Sequence, residues 1–229
     1  MNKLTGVTPT RNDMRGIDLM DQSATRGYLP AIVALGTIYD VGRYVGSNPS
    51  KAADLYKKAA TQGSHLSEYL LGRMYYAGTY GTGRRDGEKW LQSAAEAGNP
   101  FAAYLLGNSI YDRNPNEAVR WFRVGAEQGL PYAQYRLGKA LLEGGRVPQD
   151  KLQAYQWLYV AQESGVSAPE LSLLESDLGT TVAEKAKTDA RDLRNKVRRA
   201  SQPTQCKGWS GKLDALPTVP PLEILPNCE

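Results

Sequence analysis

Apolar positions along the chain recur with a helical period. Ala31, Ala34, Leu35, Ile38 and Tyr39 follow the i, i+3, i+4, i+7, i+8 spacing of a single buried helix face. Ala52, Leu55, Tyr56, Ala59 and Ala60 form a second such stripe. The two stripes alternate along the chain and predict helix pairs at 29–42 with 50–62, 65–78 with 86–97, 100–112 with 116–128, and 131–144 with 150–164. A lone helix of the second type is expected at 14–26, one more of the first type at 168–178, and a closing helix at 181–200. The closing helix opens on Thr181-Val182-Ala183-Glu184, which has capping-box spacing, and its stripe reads Val182, Ala186, Ala190, Leu193, Val197.

Glycine punctuates this pattern. Second-type segments end at Gly27, Gly63, Gly98, Gly129 and Gly165, where a left-handed residue suits a helix stop. Pro30, Pro100 and Pro131 follow within three residues, in the first turn of the next helix, which tolerates proline. A second glycine stands after a leucine in each first-type helix, as Leu35-Gly36, Leu71-Gly72, Leu106-Gly107 and Leu137-Gly138. Glycine inside a helix costs about 1 kcal/mol relative to alanine. Its recurrence therefore predicts a neighbouring helix passing close by. A large residue recurs eight positions before the closing glycine, as Leu55, Trp90, Trp121 and Trp157. The third unit is the shortest, and the deletion falls in the turn Asp112-Arg113-Asn114-Pro115-Asn116, which predicts a tighter turn and a local change in curvature. Helix pairs of this kind bury their faces only by stacking, so a single α-solenoid is expected.

The motif Leu-Gly-x-x-Tyr-x-x-Gly, then a turn, then Ala-x-x-Leu/Trp-Tyr-x-x-Ala-Ala-x-x-Gly resembles the Sel-one-like repeat (SLR), a relative of the tetratricopeptide class. Residues 35–63 match closely through Leu35, Gly36, Tyr39, Gly42, Ala52, Leu55, Tyr56, Ala59, Ala60 and Gly63. Gly87 and Gly125 stand where the second and third copies should have alanine, and Gln162 replaces an alanine in the fourth. The resemblance covers about residues 14–200. It implies an all-α, right-handed αα-superhelix of about four to five helix pairs with a C-terminal capping helix. It also implies a binding protein rather than a catalytic residue set; family members act as adaptors, envelope-assembly factors, host-interaction proteins and immunity partners of secreted toxins. The expected organisation is a polar tail at 1–13, the solenoid at 14–200 and a Pro-rich tail at 201–229.

Composition narrows the chemistry. The chain has 229 residues, one His and two Cys, and 41% of its residues are hydrophobic, enough for a sizeable core. Its longest apolar run, Leu29 to Leu35, falls far short of the ~20 residues of a membrane span. Residues 1–13 lack the apolar stretch of a secretory signal, as a processed chain also would. There is no His-Glu-x-x-His, Gly-x-Ser-x-Gly, Walker A or Ser-x-x-Lys motif. Gly81-Thr82-Gly83-Arg84 resembles a phosphate loop only in its first residues and reads as a repeat turn. His65 reads as a helix-start residue without companion metal ligands, and Glu68, Glu96, Glu127 and Glu143 read as solvated charge. The expectation is a non-enzyme without metal or cofactor.

Two features bear on binding. Tyr69, Tyr104 and Tyr135 occupy one equivalent position and read as core. On the helical wheel Ala34, Leu70, Leu105 and Arg136 form one row pointing away from the apolar stripe, and Thr37, Arg73, Asn108 and Lys139 form another. Leu70 and Leu105, flanked by Arg73, Asn108, Arg136 and Lys139, suit a recognition surface with an apolar centre and polar rim. An ordinary solvated face is the alternative.

Cys206 and Cys228 lie beyond the repeats. A disulfide between them would close a loop of about 20 residues, worth roughly 3 kcal/mol, and would point to a periplasmic or exported protein. Two free thiols, and a cytoplasmic location, are the alternative. The apolar residues of the tail, such as Leu213, Leu222 and Leu225, could pack on the last groove. The formal charge of +4 resides in residues 182–200, which hold seven Lys/Arg against three Asp/Glu, leaving 21 of each sign elsewhere. Cations near a helix C-terminus suit its dipole, so this excess reads as a soluble array end rather than a nucleic-acid site. The function expected is a protein-binding scaffold, an exported bacterial adaptor or an immunity protein that neutralises a secreted toxin. The alternative is an envelope assembly factor or a carbohydrate-related enzyme or binder.

Overall fold

A computed structural model describes residues 10–81 and 83–200. Among them are eleven α-helices and no strand. First-type helices are α2 (Leu29–Val41), α4 (His65–Ala77), α6 (Pro100–Ile110), α8 (Pro131–Glu143) and α10 (Glu170–Leu178). Second-type helices are α1 (Arg11–Thr25), α3 (Pro49–Ala60), α5 (Arg84–Glu96), α7 (Pro115–Glu127) and α9 (Lys151–Glu163), followed by α11 (Thr180–Ala200). Each helix packs on its neighbours in sequence. First-type helices also touch each other, α4 on α6 and α6 on α8. That closer layer is the inner one, so it lines the concave side of the superhelix.

Local rules place the helix ends. Asn48, Asn114 and Asp150 cap α3, α7 and α9, their side chains accepting the backbone N–H of Lys51, Glu117 and Gln153. Pro49, Pro100, Pro115 and Pro131 open their helices, where no N–H partner is needed. The five closing glycines all have positive φ, from 87° at Gly63 to 94° at Gly98. After each, the next N–H bonds the carbonyl five residues back, as from Asn99 to Ala94 at 2.9 Å, the pattern of a Schellman stop. In the third unit only residues 111–114 separate α6 from α7, and α6 ends on right-handed Tyr111 where α2 and α4 end on left-handed Gly42 and Gly78. The tighter turn expected there is present.

The interior glycines mark the closest helix approaches. A Cβ on Gly36, Gly72, Gly107 or Gly138 would come within 2.6–2.8 Å of Tyr56, Leu91, Phe122 or Leu158. Those four side chains are fully buried, each contributing roughly 1.5–3 kcal/mol through burial. They stand one residue after the recurrent Leu55, Trp90, Trp121 and Trp157; Leu55, Trp90 and Trp121 are only half-buried. Gly87 and Gly125 have the same cause: a Cβ would meet Tyr75 Cβ at 2.5 Å and Ala133 Cβ at 2.9 Å.

The array end needs two corrections. α11 begins at Thr180, so Thr181 lies inside its first turn rather than capping it. Its buried face holds Ala183, Ala186, Ala190 and Val197, while Val182 is exposed, a register one residue from the expected stripe at its start. Polar ties hold α10 and α11. Tyr135 and Tyr155 hydroxyls donate to Glu170 and Glu175 at 2.9 and 2.7 Å, and Arg194 Nη1 donates to Glu163 at 2.6 Å. Cys206 and Cys228 lie outside the described residues.

Candidate functional site

The concave layer brings the proposed recognition residues onto consecutive helices, with different surroundings. Leu70 is buried, 5% exposed, which corrects the expectation of a solvent-facing leucine. Leu105, one repeat on, is half-buried and packs against the core. Arg73 pairs with Asp40, and Asp40 also accepts from Tyr56 at 3.5 Å. Thr37 accepts from the Tyr56 hydroxyl at 3.3 Å. The N-terminal half of the row is thus committed to joining α2, α3 and α4. Burial pushes the Tyr56 hydroxyl pKa well above its ordinary value, so it stays a neutral donor in this network.

Asn108, Arg136 and Lys139 differ. α6 has no charged residue, so its surface offers α8 no carboxylate. Arg136 lies with its guanidinium carbon 5.2 Å from the centroids of both Tyr111 and Phe122, without a carboxylate partner among the described residues. Arg146 approaches the same Tyr111 ring at 5.6 Å and pairs with Asp112 at 3.0 Å. Such cation–π contacts hold a guanidinium without neutralising it. Lys139 makes a loose 3.7 Å pair with Glu143 and lies 6.0 Å from the Tyr135 centroid. Asn108 is half-buried.

Aromatic rings join successive repeats along this layer. Tyr69 meets Phe101 with centroids 6.1 Å apart, and Tyr104 meets Tyr132 at 6.2 Å. Tyr69 is buried and Tyr104 and Tyr135 are half-buried, in keeping with a core reading, while Tyr132 is 59% exposed. Tyr111, Tyr132 and Arg146 escaped the sequence reading. Tyr132 could have been found, since it stands three residues after a closing glycine, where Leu66 and Phe101 stand. Tyr111 was harder to find, because its repeat equivalents, Asp40, Tyr76 and Leu142, share no common chemistry.

Glu68 is buried rather than solvated. It accepts from Ser93 Oγ at 2.8 Å, and His65 Nδ1 lies 2.9 Å from its other oxygen. Glu96, Glu127 and Glu143 are exposed. A cleft of about 710 Å³ opens between α9, α10 and α11, lined among others by Tyr159, Glu163, Glu175 and Lys187. Its two carboxylates already accept from Arg194 and Tyr155. Among the described residues no helix is long and apolar enough to cross a membrane, and no three His, Cys, Asp or Glu gather as a metal site.

The family model described as the Sel1 repeat matches residues 29–64, 65–99, 101–130 and 131–165. Solved structures share the fold. A protective antigen of uropathogenic Escherichia coli strains, displaying an SLR fold, is 24% identical, with 87% of this chain and 46% of that chain covered and a TM-score of 0.68. A Sel1 repeat protein from Oxalobacter formigenes is 24% identical, with 81% and 76% covered and a TM-score of 0.61. An immunity protein from Pseudomonas aeruginosa is 22% identical, with 80% and 74% covered and a TM-score of 0.42. This chain spans less than half the length of the E. coli protein. No curated protein matches the chain.

Proposed function

Because the chain belongs to the Sel1 repeat family, we propose that it is a non-enzymatic scaffold whose concave face binds another protein, with α6 and α8 as the centre of contact. One observation carries this reading: Arg136, held on Tyr111 and Phe122 without a carboxylate, sits on the same helix as Lys139 and the exposed Tyr132. Tyr and Arg are the residues that most often dominate binding energy at protein interfaces. Leu105 and Asn108 of α6 extend the same surface, and Arg73 and Leu70 support it from within.

Within this class the reading is an exported bacterial adaptor or an immunity protein that neutralises a secreted toxin. The spacing of Cys206 and Cys228, which permits a disulfide, supports an oxidising compartment. The test is affinity capture from source cells with the wild-type chain and with the Asn108→Ala, Arg136→Ala, Lys139→Ala triple variant, followed by mass spectrometry. A partner retained by the first and lost by the second is the expected result. Equal retention by both removes the concave assignment, and a toxin or an envelope component among the captured proteins separates the two roles.

A further inference from the structure

Helix α1 carries the signature of a second-type helix, but among the described residues no first-type helix precedes it to cover the face that its equivalents bury. Counted back from the closing Gly27, Gly16, Leu19, Met20 and Ser23 fall in register with residues of every later second-type helix. Met20 is the equivalent of Tyr56, Leu91, Phe122 and Leu158, which are 0% exposed against the interior glycine of their own repeat; Met20 is 38% exposed. Leu19, the equivalent of Leu55 and the tryptophans, is 56% exposed. Gly16 stands where Ala52, Ala118 and Ala154 stand, and nothing lies within 4 Å of the place its Cβ would take. The opposite side of α1 is already used, because Ile17 and Ala24 are buried in one apolar cluster with Ala31, Ile32 and Leu35 of α2.

We propose that this face of α1, which no helix among the described residues covers, docks one amphipathic helix of the first-type pattern, with a glycine following its central leucine, supplied by another polypeptide. The interface continues one that the chain builds four times internally, and those four pairings define what fills it: a helix whose glycine admits the large side chain at the Met20 position. A second copy of the chain does not offer such a helix. Each of α2, α4, α6 and α8 packs between two second-type helices, and α10 packs on α9 and α11. Arg15 and Arg26 flank Leu19 on the solvent side, exposed and without a carboxylate among the described residues, which favours an acidic flank on the incoming helix. This surface is separate from the concave face of α6 and α8 and stands or falls independently of it.

The probe is a fluorescein-labelled peptide of residues 64–78, the chain's own α4 with its cap and stop, added to the intact protein. Saturable binding by fluorescence anisotropy is expected, with amide NMR shifts centred on Gly16, Leu19, Met20 and Ser23. A Gly72→Leu peptide is expected to bind at least tenfold more weakly, since a Cβ there stands 2.7 Å from Leu91 in the internal pair. A Leu19→Glu, Met20→Glu chain is expected to lose binding with its thermal midpoint unchanged, because both side chains are exposed in the isolated fold. Absence of binding, equal binding of the Gly72→Leu peptide, or shifts elsewhere would overturn the proposal. So would a dimer in sedimentation that the double variant dissolves, since a second copy would then occupy the face.

Discussion

Gly107 and Phe122 approach so closely that a Cβ on the glycine would stand 2.6 Å from the ring's Cε1. Replacing Gly107 with alanine adds about 1 kcal/mol of helix propensity but forces a fully buried ring to move, which costs about 1–3 kcal/mol. A net loss of up to about 2 kcal/mol is expected in chemical denaturation. Gly16→Ala, in open space within α1, is the control and is expected to gain about 0.5–1 kcal/mol.

Gly98 tests the other use of glycine. Nothing lies within 4 Å of its Cβ position, yet its φ is +94°. Gly98→Ala is expected to cost about 1–2 kcal/mol through backbone strain alone. A D-alanine at the same site, introduced by ligation, accepts positive φ and should preserve the unfolding midpoint.

Tyr56 and Tyr155 make stability fall at alkaline pH. Burial, the first cause for both, raises their pKa above the ordinary value of about 10, and for Tyr155 the Glu175 carboxylate raises it further. The unfolded chain therefore releases these protons first as pH rises. Stability is full below about pH 10 and declines above it, because the unfolded state then binds fewer protons. Denaturation midpoints from pH 8 to 11 should fall, and more shallowly for Tyr155→Phe than for wild type.

Thiol titration of native protein isolated from its source checks the tail. The expected count is zero reactive thiols, rising to two after reduction in denaturant. Two thiols in the unreduced denatured chain would place the protein in a reducing compartment instead.

The solenoid was legible because its signals are local and repeated. Gly63 must turn left-handed whatever its neighbours do, and Pro100 must open a helix. Leu106-Gly107 announces a close approach because no other economy explains a glycine in that place. The candidate surface was less legible. A helical wheel gives Leu70 and Leu105 the same solvent-facing direction, yet Leu70 is buried and Leu105 half-buried against the core. Glu68 looked like surface charge until Ser93, a helix away, supplied its hydrogen bond.

The amino-acid pattern by itself determined the helix pairs, their stops and the short third turn, since each follows from spacing within a few residues. Only the tertiary structure decided which polar groups were consumed in joining repeats and which were left open. Among the described residues Arg73 found Asp40, Arg136 found two rings and no carboxylate, and Met20 was left 38% exposed where its equivalents are buried. Exposure and charge pairing depend on side chains brought together from distant helices, and that proximity exists only once the array has stacked.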